Sequence, residues 1–207
     1  MVRNIELAGR TCYKSEDKIT DDSAARFVKM IIKSGHESVI EHAQVSVRFI
    51  CDRGVTHELV RHRIAAYSQE STRYCNYSKD KFGDEITVIR PLFWHEGSPE
   101  YERWKKAMQN AEDSYLELVR NGAKPEEARS VLPNSLKTEI VMTANLREWR
   151  HVFRLRCARR AHPQIREITL PLLAEMRERI PAVFDDVYEQ FADDVKRFAE
   201  LKAERDA

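Results

Sequence analysis

Helical spacing of apolar positions is clear at residues 21–34, where Ala24, Phe27, Val28, Ile31 and Ile32 share a face and Gly35 supplies a stop. Residues 44–50 then alternate. Val45, Val47 and Phe49 fall on one side and Ser46 and Arg48 on the other, which predicts a half-buried strand. Asp52 is placed to cap a helix running through Val55, Leu59 and Val60 to about residue 63. Residues 64–84 carry little periodicity and many polar side chains, so a long ordered loop is expected; loops of that length inside compact domains are usually functional.

A short strand is predicted at 86–90, ended by Pro91. Ser98-Pro99-Glu100 combines a cap, an early proline and an early acid, and opens a helix to about residue 120 with Gly122 beyond it. Residues 136–144 alternate again through Leu136, Thr138, Ile140, Met142 and Ala144, a second clear strand. Asn145 can cap the helix that follows, to about residue 160, whose apolar stripe is Leu146, Trp149, Val152, Phe153 and Cys157. Two more helices are expected, one from Gln164 with Pro171 inside it and one over residues 182–198. Helices dominate, strands are interspersed, and no repeating βαβ rhythm emerges. That pattern predicts an α+β fold of mixed helices with a small antiparallel-containing sheet, as one domain over residues 1–207.

Composition narrows the function classes. The 207 residues are 42% hydrophobic and 33% charged, and 35 Lys plus Arg against 34 Asp plus Glu leave a formal charge of +1. Bulk electrostatic attraction to nucleic acid or to an anionic membrane is therefore not expected. No apolar run approaches the ~18 residues of a membrane span, and the start MVRNIELAGR lacks the apolar stretch of an export signal. Cys12, Cys51, Cys75 and Cys157 form no CxxC pair, so reduced thiols in a cytoplasmic protein are expected. No GxGxxG or GxxxxGK[ST] occurs; a nucleotide site here must be built from side chains.

Chemistry concentrates in three places. Arg61, His62 and Arg63 lie near the end of a predicted helix, where positive charge suits the macrodipole, and Ser68, Gln69, Ser71 and Arg73 follow closely. A solvated helix end explains the first group; the density of donors also suits a phosphorylated small molecule. In the helix at 145–160, Arg147, Arg150 and Arg154 share a face, and for Arg150, Arg159 and Arg160 a solvated basic face is the expectation. Arg156 differs, since it adjoins Cys157 at the edge of the apolar stripe. A partly buried arginine needs an anionic partner, and either a structural carboxylate or a substrate anion would satisfy it. Lastly, residues 35–42 hold His36, Glu37, Glu41 and His42 without a metal-ligand spacing. A hydrogen-bonded turn joining two elements is expected there, with Ser38 adding a hydroxyl to a pocket, and no metal. Cys75 and Cys157 are expected to be inert.

These residues carry a family resemblance. Arg61-His62-Arg63, followed after seven residues by Ser71, resembles the signature of the flavin-dependent thymidylate synthases. His36-Glu37-Ser38 with Glu41-His42 is similar to the family's upstream segment, and Ala128-Arg129-Ser130-Val131-Leu132-Pro133 resembles its AR-x-VLP segment. Asn145-x-Arg147 and Leu155-Arg156 fall where flavin and nucleotide contacts are expected. The resemblance covers about residues 35–75 and 126–170.

It implies reductive methylation of dUMP to dTMP, with methylenetetrahydrofolate as carbon donor, FAD as hydride relay and NADPH as reductant. The implied FAD contacts are Ser38, Arg61, His62, Arg63, Gln69, Asn145, Arg147 and His151. The implied dUMP contacts are Glu58, Arg61, Gln69, Glu70, Ser71, Arg73, Arg129 and Arg156. A homotetramer with active sites shared between subunits is implied as well. Arg156 and Ser71 are the catalytic candidates: a fixed guanidinium beside the uracil ring stabilises negative charge there, and Ser71 polarises the base. The chain departs from the family pattern at Ser68-Gln69, where Asn-Glu is expected, at His151, where Asn is common, and in residues 157–161, which make a slightly longer segment.

Overall fold

The computed structural model describes residues 1–79 and 83–206. In chain order its elements are α1 (Val2–Tyr13), α2 (Ser23–Lys33), β1 (Gln44–Asp52), α3 (Arg53–Leu59), β2 (Ala65–Gln69), α4 (Pro99–Arg120), α5 (Pro125–Ala128), β3 (Lys137–Asn145), α6 (Leu146–Arg156), α7 (Pro163–Arg179), α8 (Pro181–Glu189) and α9 (Ala192–Asp206). The three strands pair antiparallel in the order β1-β3-β2, so the fold is α+β as the sequence predicts.

Strand and cap chemistry follow the sequence closely. Thr138, Ile140, Met142 and Ala144 are buried along the central strand β3, and the residues between them are half-buried. Asp52 accepts from Val55 N at 2.8 Å to start α3, and Asn145 accepts from Glu148 N at 2.8 Å to start α6.

Several boundaries differ from expectation. The helix after Asp52 ends at Leu59, and Arg61, His62 and Arg63 lie in the connection beyond it. The expected loop at 64–84 contains β2, whose alternation is shallow because its residues are at best half-buried; residues 80–82 lie outside the described residues. At 86–90 only an isolated bridge between Val88 and Leu136 forms. The helix from Asn145 stops at Arg156, four residues short of the expected end. The last helix is two, α8 and α9, and Ala207 lies outside the described residues. Helix α1 carries no obvious apolar stripe because its buried face includes Glu6 and Gly9. Glu6 is satisfied by Arg10 at 2.9 Å and Ser23 Oγ at 2.8 Å. At Gly9 a Cβ would lie 2.6 Å from the Phe27 ring, so only glycine permits that approach.

The chain forms two compact units. The first comprises residues 1–47, 62–66 and 143–207, and the second residues 48–61 and 67–142; the boundaries fall within all three strands. In the first unit Trp149, Phe153 and Phe184 form an aromatic series in the core, with ring centroids 5.9 and 5.7 Å apart, and Trp149 Nε1 donates to the Val45 carbonyl at 3.1 Å. In the second, Tyr77, Ile86, Tyr115, Leu116, Ala128 and Leu136 form a separate core.

Candidate active site

In the first unit, the Asn145 cap fixes where α6 begins and thereby turns Glu148, one turn on, toward the interior, where it is buried. His62 is buried beside it. The His62 Nδ1 atom lies 3.2 Å from Glu148 Oε1, and Arg156 Nε donates to His62 Nε2 at 3.0 Å. An arginine can only donate, so Nε2 is the acceptor, the ring proton is assigned to Nδ1, and Nδ1–H donates to Glu148. Burial, then the charge of Arg156 and of His151, lowers the His62 pKa to about 4, so the ring is neutral at pH 7. Burial raises the pKa of Glu148, opposed by His151. The exposed His151 ring stands edge-on to His62 with centroids 5.7 Å apart. His62, Glu148 and His151 lie close enough to suggest a metal site, but each His62 nitrogen is committed and a guanidinium abuts the ring.

Arg156 itself is half-buried. Its Nε edge is linked to Glu148 through the His62 imidazole.

A second network holds the turn at Glu37–His42. Arg150 is 1% exposed, which overturns the expectation of a solvated face. Its guanidinium bonds Glu37 Oε1 at 3.1 and 3.2 Å, Asp186 at 2.6 and 2.7 Å, and the Val183 carbonyl. Arg154 reaches Glu37 at 3.5 Å and Arg147 reaches Glu41 at 2.5 Å. The turn at 37–42 is thus pinned to α6, while Arg159 and Arg160 are exposed as expected. Ser38, exposed on this turn, and Arg147 line a cavity of about 850 Å³ in the first unit. Arg10, Lys18, Ser15 and Ser34 add cations and hydroxyls, and Phe27, Met30 and Ile31 add apolar surface. Lys18 and the hydroxyls suit a phosphate and the apolar wall suits a planar ring, while Arg10 is held by Glu6, Arg147 by Glu41, and Glu37 adds a carboxylate to the same wall.

The second unit carries the remaining candidates. Gln69 Nε2 donates to Thr56 Oγ1 at 3.1 Å and to Thr138 Oγ1 at 3.4 Å, which seats the neutral amide between α3 and β3. Glu70 accepts from the Tyr77 hydroxyl at 2.9 Å and lies 3.6 Å from Lys137 Nζ. Ser71 is half-buried, and its Oγ accepts from Arg73 N at 3.3 Å. Arg73 pairs with Glu126 at 3.0 Å, Glu58 is half-buried on α3, and Arg61 and Arg129 are exposed. Arg61 belongs to this unit, and His62 and exposed Arg63 to the first.

Cys157 is fully buried and burial pushes its thiol up to about 12, an inert state; Cys75 is half-buried. Among the described residues no helix is long and apolar enough to cross a membrane.

Sequence reasoning passes over Glu148, Arg150 with Asp186, and Lys137. Glu148 reads as an ordinary first-turn acid. The signal for Arg150 was present, since it lies four residues after Leu146 and three before Phe153, inside the apolar stripe.

A family model described as thymidylate synthase complementing protein matches residues 2–182. The chain is similar to the flavin-dependent thymidylate synthase of Pyrococcus furiosus, 38% identical over 176 residues, covering 84% of this chain and 71% of that protein. It is 36% identical over 189 residues to that of Geobacter sulfurreducens, covering 88% and 80%. Against that of Mycobacterium avium it is 36% identical over 201 residues, covering 88% and 78%.

Proposed function

The chain belongs to the thymidylate synthase complementing protein family, the flavin-dependent thymidylate synthases, and from that membership we propose how its residues serve the reaction. It is an enzyme that methylates dUMP to dTMP with a flavin. The finer assignment is FAD as the flavin, NADPH as reductant, methylenetetrahydrofolate as carbon donor, and a cytoplasmic homotetramer whose subunits share active sites. The family match over residues 2–182 includes residues of both units, which supports treating that span as one functional domain.

A bound flavin supplies hydride transfer, which leaves the chain's residues to position and polarise the substrates. Ser38 and Arg147, with the cations and hydroxyls that share their cavity, would hold it, and the family resemblance adds Arg61, His62, Arg63, Gln69, Asn145 and His151 as contacts distributed over the subunits that share each site. Arg73, Arg129 and Arg61 are guanidinium groups suited to the dUMP phosphate, with Glu58, Glu70 and Ser71 orienting the nucleotide. The methyl carbon must be attached at C5 of the uracil, which becomes nucleophilic when negative charge on the ring is stabilised. Arg156 supplies a permanent positive charge for that purpose, and Ser71 polarises the base.

The observation that carries this assignment is the half-buried Arg156 guanidinium fixed by a neutral imidazole. Held in that way, the cation is oriented by a ring that adds no counter-charge of its own. The experiment is a reconstitution. Purified protein with FAD should absorb as a flavoprotein and form dTMP only when dUMP, NADPH and methylenetetrahydrofolate are all present. A colourless protein that forms no dTMP under those conditions would contradict the assignment.

A further inference from the structure

We propose that Glu148 and His62 are positioning residues for Arg156, with Glu148 fixing the His62 tautomer so that the ring presents a lone pair to the guanidinium. The inference rests on the proposed role of Arg156 and extends it to a residue that the sequence motifs do not include.

A neutral imidazole carries one proton and one lone pair, and its two tautomers interchange which nitrogen holds each. Only the tautomer with the proton on Nδ1 can accept from Arg156 Nε at 3.0 Å; in the other, two N–H groups face each other. Glu148, 3.2 Å from Nδ1, is an acceptor and therefore selects the productive tautomer. Both side chains are buried, so water cannot take over this task cheaply. Glu148 is itself fixed by backbone, since its N–H donates to the Asn145 cap. The chain of constraint runs from the start of α6, through a carboxylate and an imidazole, to an arginine at the other end of the same helix.

The intervening ring fixes the Nε edge of the guanidinium, and Glu148 acts on that edge by setting which ring nitrogen carries the proton. This is the logic by which a buried carboxylate orients a histidine in hydrolytic triads, with an arginine in place of the nucleophile.

The test compares Glu148→Ala, Glu148→Gln and Arg156→Ala, together with nitrogen NMR of ¹⁵N-histidine-labelled protein. In the wild type, His62 should show a protonated Nδ1 and an accepting Nε2. Glu148→Ala should lower kcat about tenfold or more, with KM for dUMP changed less than about threefold and flavin content unaltered. Glu148→Gln, whose amide oxygen can still accept from Nδ1–H, should recover kcat to within about threefold of wild type. Adding Glu148→Ala to Arg156→Ala should cost nothing further. The inference is overturned if wild-type His62 carries its proton on Nε2, if Glu148→Ala keeps normal kcat, or if Glu148→Gln is as impaired as Glu148→Ala. Should Glu148→Ala fail to fold, the wild-type tautomer and the Glu148→Gln rate still decide the matter. Should Arg156→Ala methylate dUMP at the wild-type rate, the role of Arg156 falls; an inactive Arg156→Ala beside a normal Glu148→Ala removes only the positioning role.

Discussion

Arg156 Nε and His62 Nε2 lie 3.0 Å apart, a permanent cation bonded to a ring that stays neutral at pH 7. At that bond the guanidinium is oriented by a ring that carries no charge of its own. Arg156→Ala should therefore remain folded and retain flavin while kcat falls by about a hundredfold or more, the scale of losing one preorganised stabilising group. Arg156→Lys keeps a charge but loses the planar fork, and should recover only a small part of the rate. Flavin absorbance and steady-state kinetics check both.

The buried His62 gives stability a pH dependence whose sign can be worked out. Its pKa is about 4 when folded against 6.5 ordinarily, so between those values the unfolded chain binds more protons. The stabilisation is fully present above about pH 6.5 and is lost as pH falls toward about 4, a change on the order of 3 kcal/mol. The raised pKa of Glu148 acts in the opposite sense and offsets part of it. His62→Asn, which cannot titrate, should show a shallower loss of stability across that window in urea titrations at stepped pH.

Arg150 is the buried hub between the 37–42 turn and α8. Arg150→Ala leaves Glu37 and Asp186 only the longer contacts to the half-exposed Arg154, at 3.5 and 4.0 Å, and should cost about 3–5 kcal/mol. Because Ser38 adjoins Glu37 on that turn, weaker flavin retention should accompany the lower Tm. Arg150→Met, which restores volume without charge, should fail to restore either. Thermal melts and bound-flavin absorbance measure the two effects.

Asn145 both caps α6 and positions Glu148. Asn145→Ala should cost about 1 kcal/mol, whereas Asn145→Asp or Asn145→Ser should cost a few tenths, since each keeps an acceptor for the Glu148 N–H. Chemical denaturation of the three variants separates the cap from any effect on flavin.

Element types were legible wherever one face is buried. β3 alternates because Thr138, Ile140, Met142 and Ala144 are enclosed, and α6 shows its stripe because Leu146, Trp149 and Phe153 fill a core. β2 was hidden because no residue in it is fully buried, and α1 because an acid and a glycine occupy its inner face. The candidate residues were found through motif spacing, which carries no information on burial. Hence Arg150 read as a surface arginine although it is enclosed, and Arg156 showed its need for a partner but not its bond to His62. Long-range pairs such as Arg150 with Asp186 or His62 with Glu148 are products of tertiary packing, and no local pattern marks them.

The central claim is that Arg156 stabilises negative charge on the uracil ring of dUMP. Release of tritium from dUMP labelled at C5 tests it most directly, with FAD, NADPH and methylenetetrahydrofolate present. Wild-type protein should release the label in step with dTMP formation, and Arg156→Ala, still carrying flavin and binding dUMP, should release almost none. Equal release by the two proteins would contradict the account.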